Sequence, residues 1–220
     1  MIIRRLLHLA YLLLQKFKFS SSNWYTKRLN VSLEGNKDTL KFMKTVFNKE
    51  SNFVYAEFGA YHGSTALEIL RYFPNALIYI FDYDYFVQIM KKNLKSFENR
   101  VNFFSNSEKF LDSYASSFSK VIASDKSLKF DYIFIDGAHT FAVDALIFFL
   151  AERSLKVGGY VDFDDYDWSI DSSSLKNNRI MKKMYTSEQF HERQVKFLVD
   201  NFVKGEKYAE VFPNKIFCKK

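Results

Sequence analysis

The sequence predicts an α/β fold: a doubly wound, mostly parallel sheet of seven strands whose last two form an antiparallel pair. Three observations carry that prediction. Between residues 37 and 165, short apolar runs of strand type alternate with runs of helical spacing, which is the pattern of a parallel sheet covered on both faces. The first strand run enters a turn holding two of the chain's 7 glycines, Gly59 and Gly63, and a helix follows at once. Near the other end, two short strand runs flank Pro213 and Asn214, the pattern of a closing hairpin.

Taken in order, KDTLKFMKTVFN (37–48) has helical spacing, FVYAEF reads as a buried strand, and STALEILRYF as a helix with Ser64 at its N-cap. ALIYIFD is the second strand, YFVQIMKKNLKSF the second helix, VNFFS the third strand and SEKFLDSYASSF a further helix. KFDYIFID is the fourth strand, a helix covers about 142–155, and GGYVDFDD is the fifth strand. After Asp165 the rhythm changes. Residues 166–186 are polar and expected to be a functional or mobile loop. Ser187–Lys204 is helical, with Phe190, Val195, Leu198, Val199 and Phe202 as its apolar set, and Tyr208–Val211 and Lys215–Phe217 form the hairpin.

The 220 residues, 48% of them apolar, suffice for one packed domain. A single cysteine, Cys218, excludes a disulfide framework and a cysteine-based zinc site, and suits a reducing cytoplasm. The net charge of +7 comes from lysines scattered singly and in pairs, without an arginine-rich stripe, so a solvated lysine-rich surface is the reading. Residues 1–36 read as an amphipathic helical extension and 37–220 as the main domain. LLHLAYLLL, between Arg5 and Lys16, is shorter than the roughly 20 residues a bilayer span needs. No small-residue cleavage site follows it, so a secretory signal is not expected. On a helix, Ile3, Leu6, Leu7, Ala10, Leu13 and Leu14 share one face. That face suits the protein's own core, a partner copy in a homo-oligomer, or the inner face of a membrane through residues 1–18.

The glycine turn reads Glu57-Phe58-Gly59-Ala60-Tyr61-His62-Gly63. It is not the G-x-G-x-x-G of a dinucleotide site, and no Gly-Lys-Ser/Thr follows to make a P-loop. An acid in the turn repels a pyrophosphate and suits a cationic ligand such as S-adenosylmethionine. Asp82, at the end of the second strand, can accept the ribose hydroxyls of an adenosine.

With these residues on view, the sequence resembles the class I S-adenosylmethionine-dependent methyltransferases, whose sheet is Rossmann-like. The resemblance spans about residues 50–217. It is closest to the metal-dependent O-methyltransferases of the catechol O-methyltransferase type and their bacterial sugar and small-molecule relatives, and EFGAYHGSTA looks like that family's first motif. It implies a cofactor site of Glu57, Gly59, Ala60, Tyr61, Gly63, Ser64 and Asp82, with Ser105, Asn106 and Ser107 near the adenine and Asp136 at the fourth strand's end.

DYIFIDGAHTF ends the fourth strand at Asp136, and GGYVDFDDYDW ends the fifth at Asp164 and Asp165. Adjacent parallel strands bring such ends together, and clustered carboxylates are costly unless a cation neutralises them. Oxygen ligands point to Mg²⁺, with Mn²⁺ or Ca²⁺ as alternatives. The resemblance implies Asp136 and Asp165 as metal ligands. Where that family has an amide this chain has Tyr166, so Asp164 or water completes the set. It also puts a lysine base where this chain has His139, and an imidazole, of pKa about 6.5, suits a base at neutral pH. His62, inside the turn, is read more as filler than as a ligand contact. Asp162, inside the fifth strand, needs a lysine partner, an exposed strand end or a place in the acidic site. Trp168, Asp167 and Arg179 are candidates for the acceptor pocket, and His191 is expected on an exposed helix face.

The function expected is divalent-metal-assisted O-methylation of a sugar or other small molecule, by a cytoplasmic enzyme. A nucleic-acid-binding or nucleic-acid-methylating protein on the same fold is the alternative. DGAH stands where the latter would carry an N/D-P-P-Y sequence after the fourth strand. A binding-only relative is a third reading, opposed by the intact acid pair and histidine.

Overall fold

The computed structural model describes residues 34–107, 109 and 112–220. The expected extension at 1–36, its amphipathic face and its membrane contact therefore lie almost wholly outside the described residues.

The elements run α1 (Lys37–Val46), β1 (Val54–Phe58), α2 (Ser64–Tyr72), β2 (Leu77–Tyr83) and α3 (Asp84–Asn93), which a 3₁₀ turn (Lys95–Arg100) follows. Next come β3 (Val101–Asn106), α4 (Tyr114–Ser124), β4 (Phe130–Ile135), α5 (Phe141–Ser154) and β5 (Leu155–Phe163). The chain closes with the short helices α6 (Met181–Met184), α7 (Ser187–His191) and α8 (Gln194–Leu198), a π turn (Val199–Val203), β6 (Tyr208–Phe212) and β7 (Ile216–Lys219).

The sheet has 7 strands in the order β3-β2-β1-β4-β5-β7-β6. The first five are parallel, and β7 runs antiparallel to both β5 and β6. Strand order reverses between β1 and β4, so the crevice for a ligand opens at their carboxyl ends. Alternate residues of each strand feed two cores. Phe58, Phe81, Ile133 and Phe163 pack under α4 and α5, whereas Tyr55, Ile80, Tyr132 and Phe134 pack with α1 and α2. At about 25 cal/mol per Å², burial of this kind is the main favourable contribution to the fold.

Several expected boundaries shift. Ser64 is the first residue of α2 rather than its cap; Gly63, at φ 78, holds the cap position. The second helix stops at Asn93. The helix expected from Ser107 begins at Tyr114; ahead of it, Asp112 takes the Ser107 amide and hydroxyl at 2.9 and 2.6 Å. The single helix expected over 187–204 breaks after His191. Gln194 mends the break: its amide nitrogen donates to Gln189 O at 3.0 Å and its oxygen accepts from Phe141 N at 2.9 Å. The π turn that follows rotates Phe202 outward, to 46% exposure, so it does not join the apolar set. Within the expected polar loop, Ser169 and Ile170 are buried and α6 forms one short turn.

Candidate functional site

The glycine turn leaves β1 with Gly59 at φ 84, Tyr61 at φ 54 and Gly63 at φ 78. Left-handed backbone at three positions in five explains the glycines only in part. At Gly59 a side chain would also collide with the Asp136 carbonyl and lie 2.7 Å from Gly137 Cα. The first turn and the turn after β4 are thus pressed backbone to backbone. Asp82 staples the glycine turn to β2: its carboxylate accepts from Tyr61 N at 2.8 Å and Tyr83 N at 2.6 Å. Each carboxylate oxygen keeps a further acceptor position for a ligand hydroxyl.

Glu57 sits in β1, buried on the α1–α2 side, where Tyr55 OH donates to it at 3.2 Å. Burial, with Asp82 and Asp162 nearby, pushes its carboxyl up to about 8. Burial lifts Asp82 to about 6, although two amides hold it down. His62 is wedged by the rings of Tyr61 and Phe86, and its Nδ1 is buried with no described hydrogen-bond partner. Asn106 and Ser107 spend their side chains locally, on Asp112, Ser113 and Ser117. Ser105 is exposed at the strand's end.

Beyond β4 and β5, Asp136, His139 and Asp165 converge, each offering one ligand atom within 4.8 Å of the others. His139 Nε2 lies 3.3 Å from Asp165 Oδ2 and 4.0 Å from Asp136 Oδ1. His139 and Asp165 both hold left-handed backbone, at φ 53 and 55, an uncommon state for non-glycine residues that clusters at functional sites. The Trp168 ring packs against the His139 ring with centroids 5.3 Å apart. Burial first, and then Asp164, Glu57 and Asp165, push the Asp136 carboxyl up to about 9. Burial lowers the His139 pKa more than Asp165 and Asp164 raise it.

Asp164 is not in that trio. Its Oδ1 accepts from Asn36 Nδ2 at 3.1 Å and Lys215 Nζ at 3.2 Å. Of the three alternatives open for Asp162 the structure has the lysine partner: Lys215 Nζ stands 2.9 Å from Oδ1, and Thr39 and Tyr132 donate to Oδ2 at 2.7 and 2.6 Å. Burial pulls the Lys215 ammonium down, but Asp162 and Asp164 together hold its pKa above the ordinary value.

Sequence reasoning missed three supporting groups. Lys215 was read only as a hairpin residue, though an acid inside an apolar strand signals a buried cation elsewhere. Asp144, buried in α5, accepts from the amides of Ala138, Thr140 and His139, and burial raises it to about 7. Tyr166 hands its hydroxyl to Asp200 at 2.8 Å and receives Lys196 Nζ at 2.7 Å, tying the chain after Asp165 to the π turn. Of the loop candidates, Trp168 reaches the trio. Asp167 pairs with Arg193 at 2.8 Å, and no contact to the trio is recorded for Arg179. His191 is exposed, as expected.

A family model described as "Methyltransferase domain" matches residues 56–166, from β1 to just past Asp165. No curated protein matches the chain. Among solved structures, a Staphylococcus aureus protein proposed to be a caffeoyl-CoA O-methyltransferase is 16% identical, with a TM-score of 0.58 over 94% of this chain and 100% of that one. An O-methyltransferase from Bacillus cereus, solved with SAH, is 14% identical with a TM-score of 0.56 over 81% of this chain and 74% of its own. TomG, an O-methyltransferase of tomaymycin synthesis from Streptomyces achromogenes, solved with SAM, is 12% identical with a TM-score of 0.56 and the same coverage, 81% and 74%. At these identities the likeness is one of fold.

Proposed function

The chain belongs to the methyltransferase-domain family, and on that premise we propose that it moves the sulfonium methyl of S-adenosylmethionine onto a hydroxyl oxygen of a small molecule, with a divalent cation assisting. The observation that carries the reading is the meeting of Asp136, His139 and Asp165 beside the glycine turn. Two fold neighbours solved with SAM or SAH support the cofactor. So do the acids of the crevice: burial holds Glu57 and Asp82 above their ordinary pKa, and a cationic ligand favours their ionised forms where a pyrophosphate would disfavour them further.

In this reading Gly59, Ala60, Tyr61, Gly63 and Ser64 shape the turn that holds the amino-acid end of the cofactor. Asp82 accepts a ribose hydroxyl, and Ser105 faces the adenine side, since Asn106 and Ser107 are occupied with their own turn. The donor set fits a divalent cation, with two carboxylates and an imidazole in mutual reach around an acid whose proton is held by burial first and by neighbouring carboxylates second. Asp136 and Asp165 would hold the ion. The imidazole nearby makes Mn²⁺ at least as good a candidate as the Mg²⁺ that oxygen ligands alone suggest. When bound, the ion lowers the pKa of an acceptor hydroxyl and neutralises its developing charge. His139 Nε2 takes the hydroxyl proton, the oxygen forms its bond to the methyl carbon in line, and the carbon–sulfur bond breaks to leave a neutral thioether. A second reading, favoured by the same distances, makes His139 the third ligand and leaves the proton to water.

The indole of Trp168 against His139 offers a flat apolar wall of the kind that the C–H faces of a sugar ring pack on, which supports a sugar hydroxyl as acceptor. A cytoplasmic location, with residues 1–36 as a separate extension and 1–18 touching a membrane surface, rests on the sequence alone. No helix of the described residues is long and apolar enough to cross a membrane.

The test is calorimetry with S-adenosylhomocysteine, followed by transfer of labelled methyl to a panel of sugars, phenols and RNA with Mn²⁺ or Mg²⁺. Binding of the cofactor product that weakens at least tenfold in Asp82→Ala, and label on a small-molecule hydroxyl, are expected. Absence of binding, or a nucleotide pyrophosphate competing for the crevice, would sink the proposal. His139→Ala separates the two readings: a lost base lowers kcat and leaves Mn²⁺ affinity intact, while a lost ligand weakens Mn²⁺.

A further inference from the structure

Asp144 is 2% exposed, in the first turn of α5. A buried carboxylate is costly unless its oxygens are satisfied. Here backbone satisfies them: Ala138 N donates to Oδ1 at 3.3 Å, and the amides of His139 and Thr140 also donate to the carboxylate. Three successive N–H groups aimed at one point form a concavity for an anion, of the kind that elsewhere cradles phosphate. In this chain the anion is a side chain of the next helix. The packing leaves little slack, since a side chain at Gly137 would come within 2.8 Å of the Tyr114 ring and 3.4 Å of Asp144 Oδ1. The helix supports the same turn in return, with Asp144 N donating to Thr140 O at 2.9 Å.

The turn so held is the one that carries His139 at φ 53, a conformation that non-glycine residues keep only when their surroundings fix it. We propose that Asp144 is a positioning residue: by accepting the amides of Ala138, His139 and Thr140, it fixes the left-handed turn that brings the His139 ring to Asp136 and Asp165. The proposal rests on the reading of His139 as a group of the reactive site. It differs from that reading in naming what sets the ring's place, a carboxylate that touches neither cofactor nor acceptor.

The test needs no acceptor. Amide exchange followed by NMR in the full chain is expected to accelerate at least tenfold at residues 138–140 in Asp144→Ala and severalfold in Asp144→Asn, which keeps one acceptor oxygen. Amides of β1 and β4 hold their wild-type rates. In the same proteins the nuclear Overhauser contacts between the His139 and Trp168 rings, whose centroids are 5.3 Å apart in the native turn, are lost in Asp144→Ala and weakened in Asp144→Asn. Affinity for S-adenosylhomocysteine stays within twofold, which separates a displaced ring from a damaged fold. Wild-type protection at 138–140 in Asp144→Asn, or in Asp144→Ala where it folds, overturns the proposal. So do unchanged His139–Trp168 ring contacts in the alanine variant. A wild-type protein that takes up no Mn²⁺ counts against the metal of the proposed function and leaves both readouts on Asp144 as they stand.

Discussion

Gly59 has two independent reasons to lack a side chain, a φ of 84 and the Asp136 carbonyl against it. Left-handed strain costs about 1–2 kcal/mol and overpacking about 1–3 kcal/mol, so Gly59→Ala is expected to lose roughly 2–5 kcal/mol in urea denaturation. A loss under about 1 kcal/mol would show that the two turns can part freely. Glu57 predicts a pH dependence. Its folded pKa, about 8, lies above its ordinary value of 4.5, so the folded state binds the proton more tightly than the unfolded one. Its contribution to stability is therefore greatest below 4.5 and is lost as pH rises toward 8. Glu57→Gln should then be the more stable protein at pH 9, with the gap closing at pH 5. Melting curves that stay parallel across that range would refute the assignment. At this scale the sequence was most legible where a residue type had a single physical use: the glycines, Asp82 at a strand end, and Asp136, His139 and Asp165 after theirs. It was least legible where the partner lies far along the chain, as Lys215 does from Asp162, or where a side chain serves backbone, as Asp144 does.

Elements position the site through their ends. The C-terminal hairpin places β7 beside β5, and Lys215, just ahead of β7, is inserted between Asp162 and Asp164. Removing one partner of a buried ion pair strands the other, typically at about 3–5 kcal/mol. Lys215→Ala is expected to lose that much in chemical denaturation. Lys215→Met combined with Asp162→Asn should lose clearly less than the sum of the single changes. Additive losses would mean that the pair is not coupled. The segment 187–204 shows why helix periodicity misleads. Its apolar spacing is helical throughout, yet Gln194 can satisfy a broken helix and the neighbouring Phe141 amide together, so the chain bends there. Nothing in the local pattern announces that, because the competing bond is tertiary. The alternation of strands and helices was legible above all because the central strands β1 and β4 are buried almost throughout and read as short apolar runs. The start of α4 was not; ahead of it Asp112 and Ser107 are joined by side-chain bonds that spacing does not record.

For the whole molecule, a doubly wound sheet gathers four strand ends into one crevice, and ligands there bind the folded state only. Saturation with S-adenosylhomocysteine at about a hundred times its Kd should therefore raise stability by about 2.7 kcal/mol. The accompanying rise in melting temperature should vanish in Asp82→Ala. A rise of equal size in that variant would place the ligand elsewhere. The order of the strands carries one more consequence, which concerns synthesis. Asp162 leaves the ribosome with β5, long before the lysine that neutralises it. Until Lys215 emerges, a growing chain that holds every parallel strand lacks the cation for the acid at its centre, so it is expected to be loose and open to proteases. The hairpin of β6 and β7 is thus expected to be the part that commits the polypeptide to its native state.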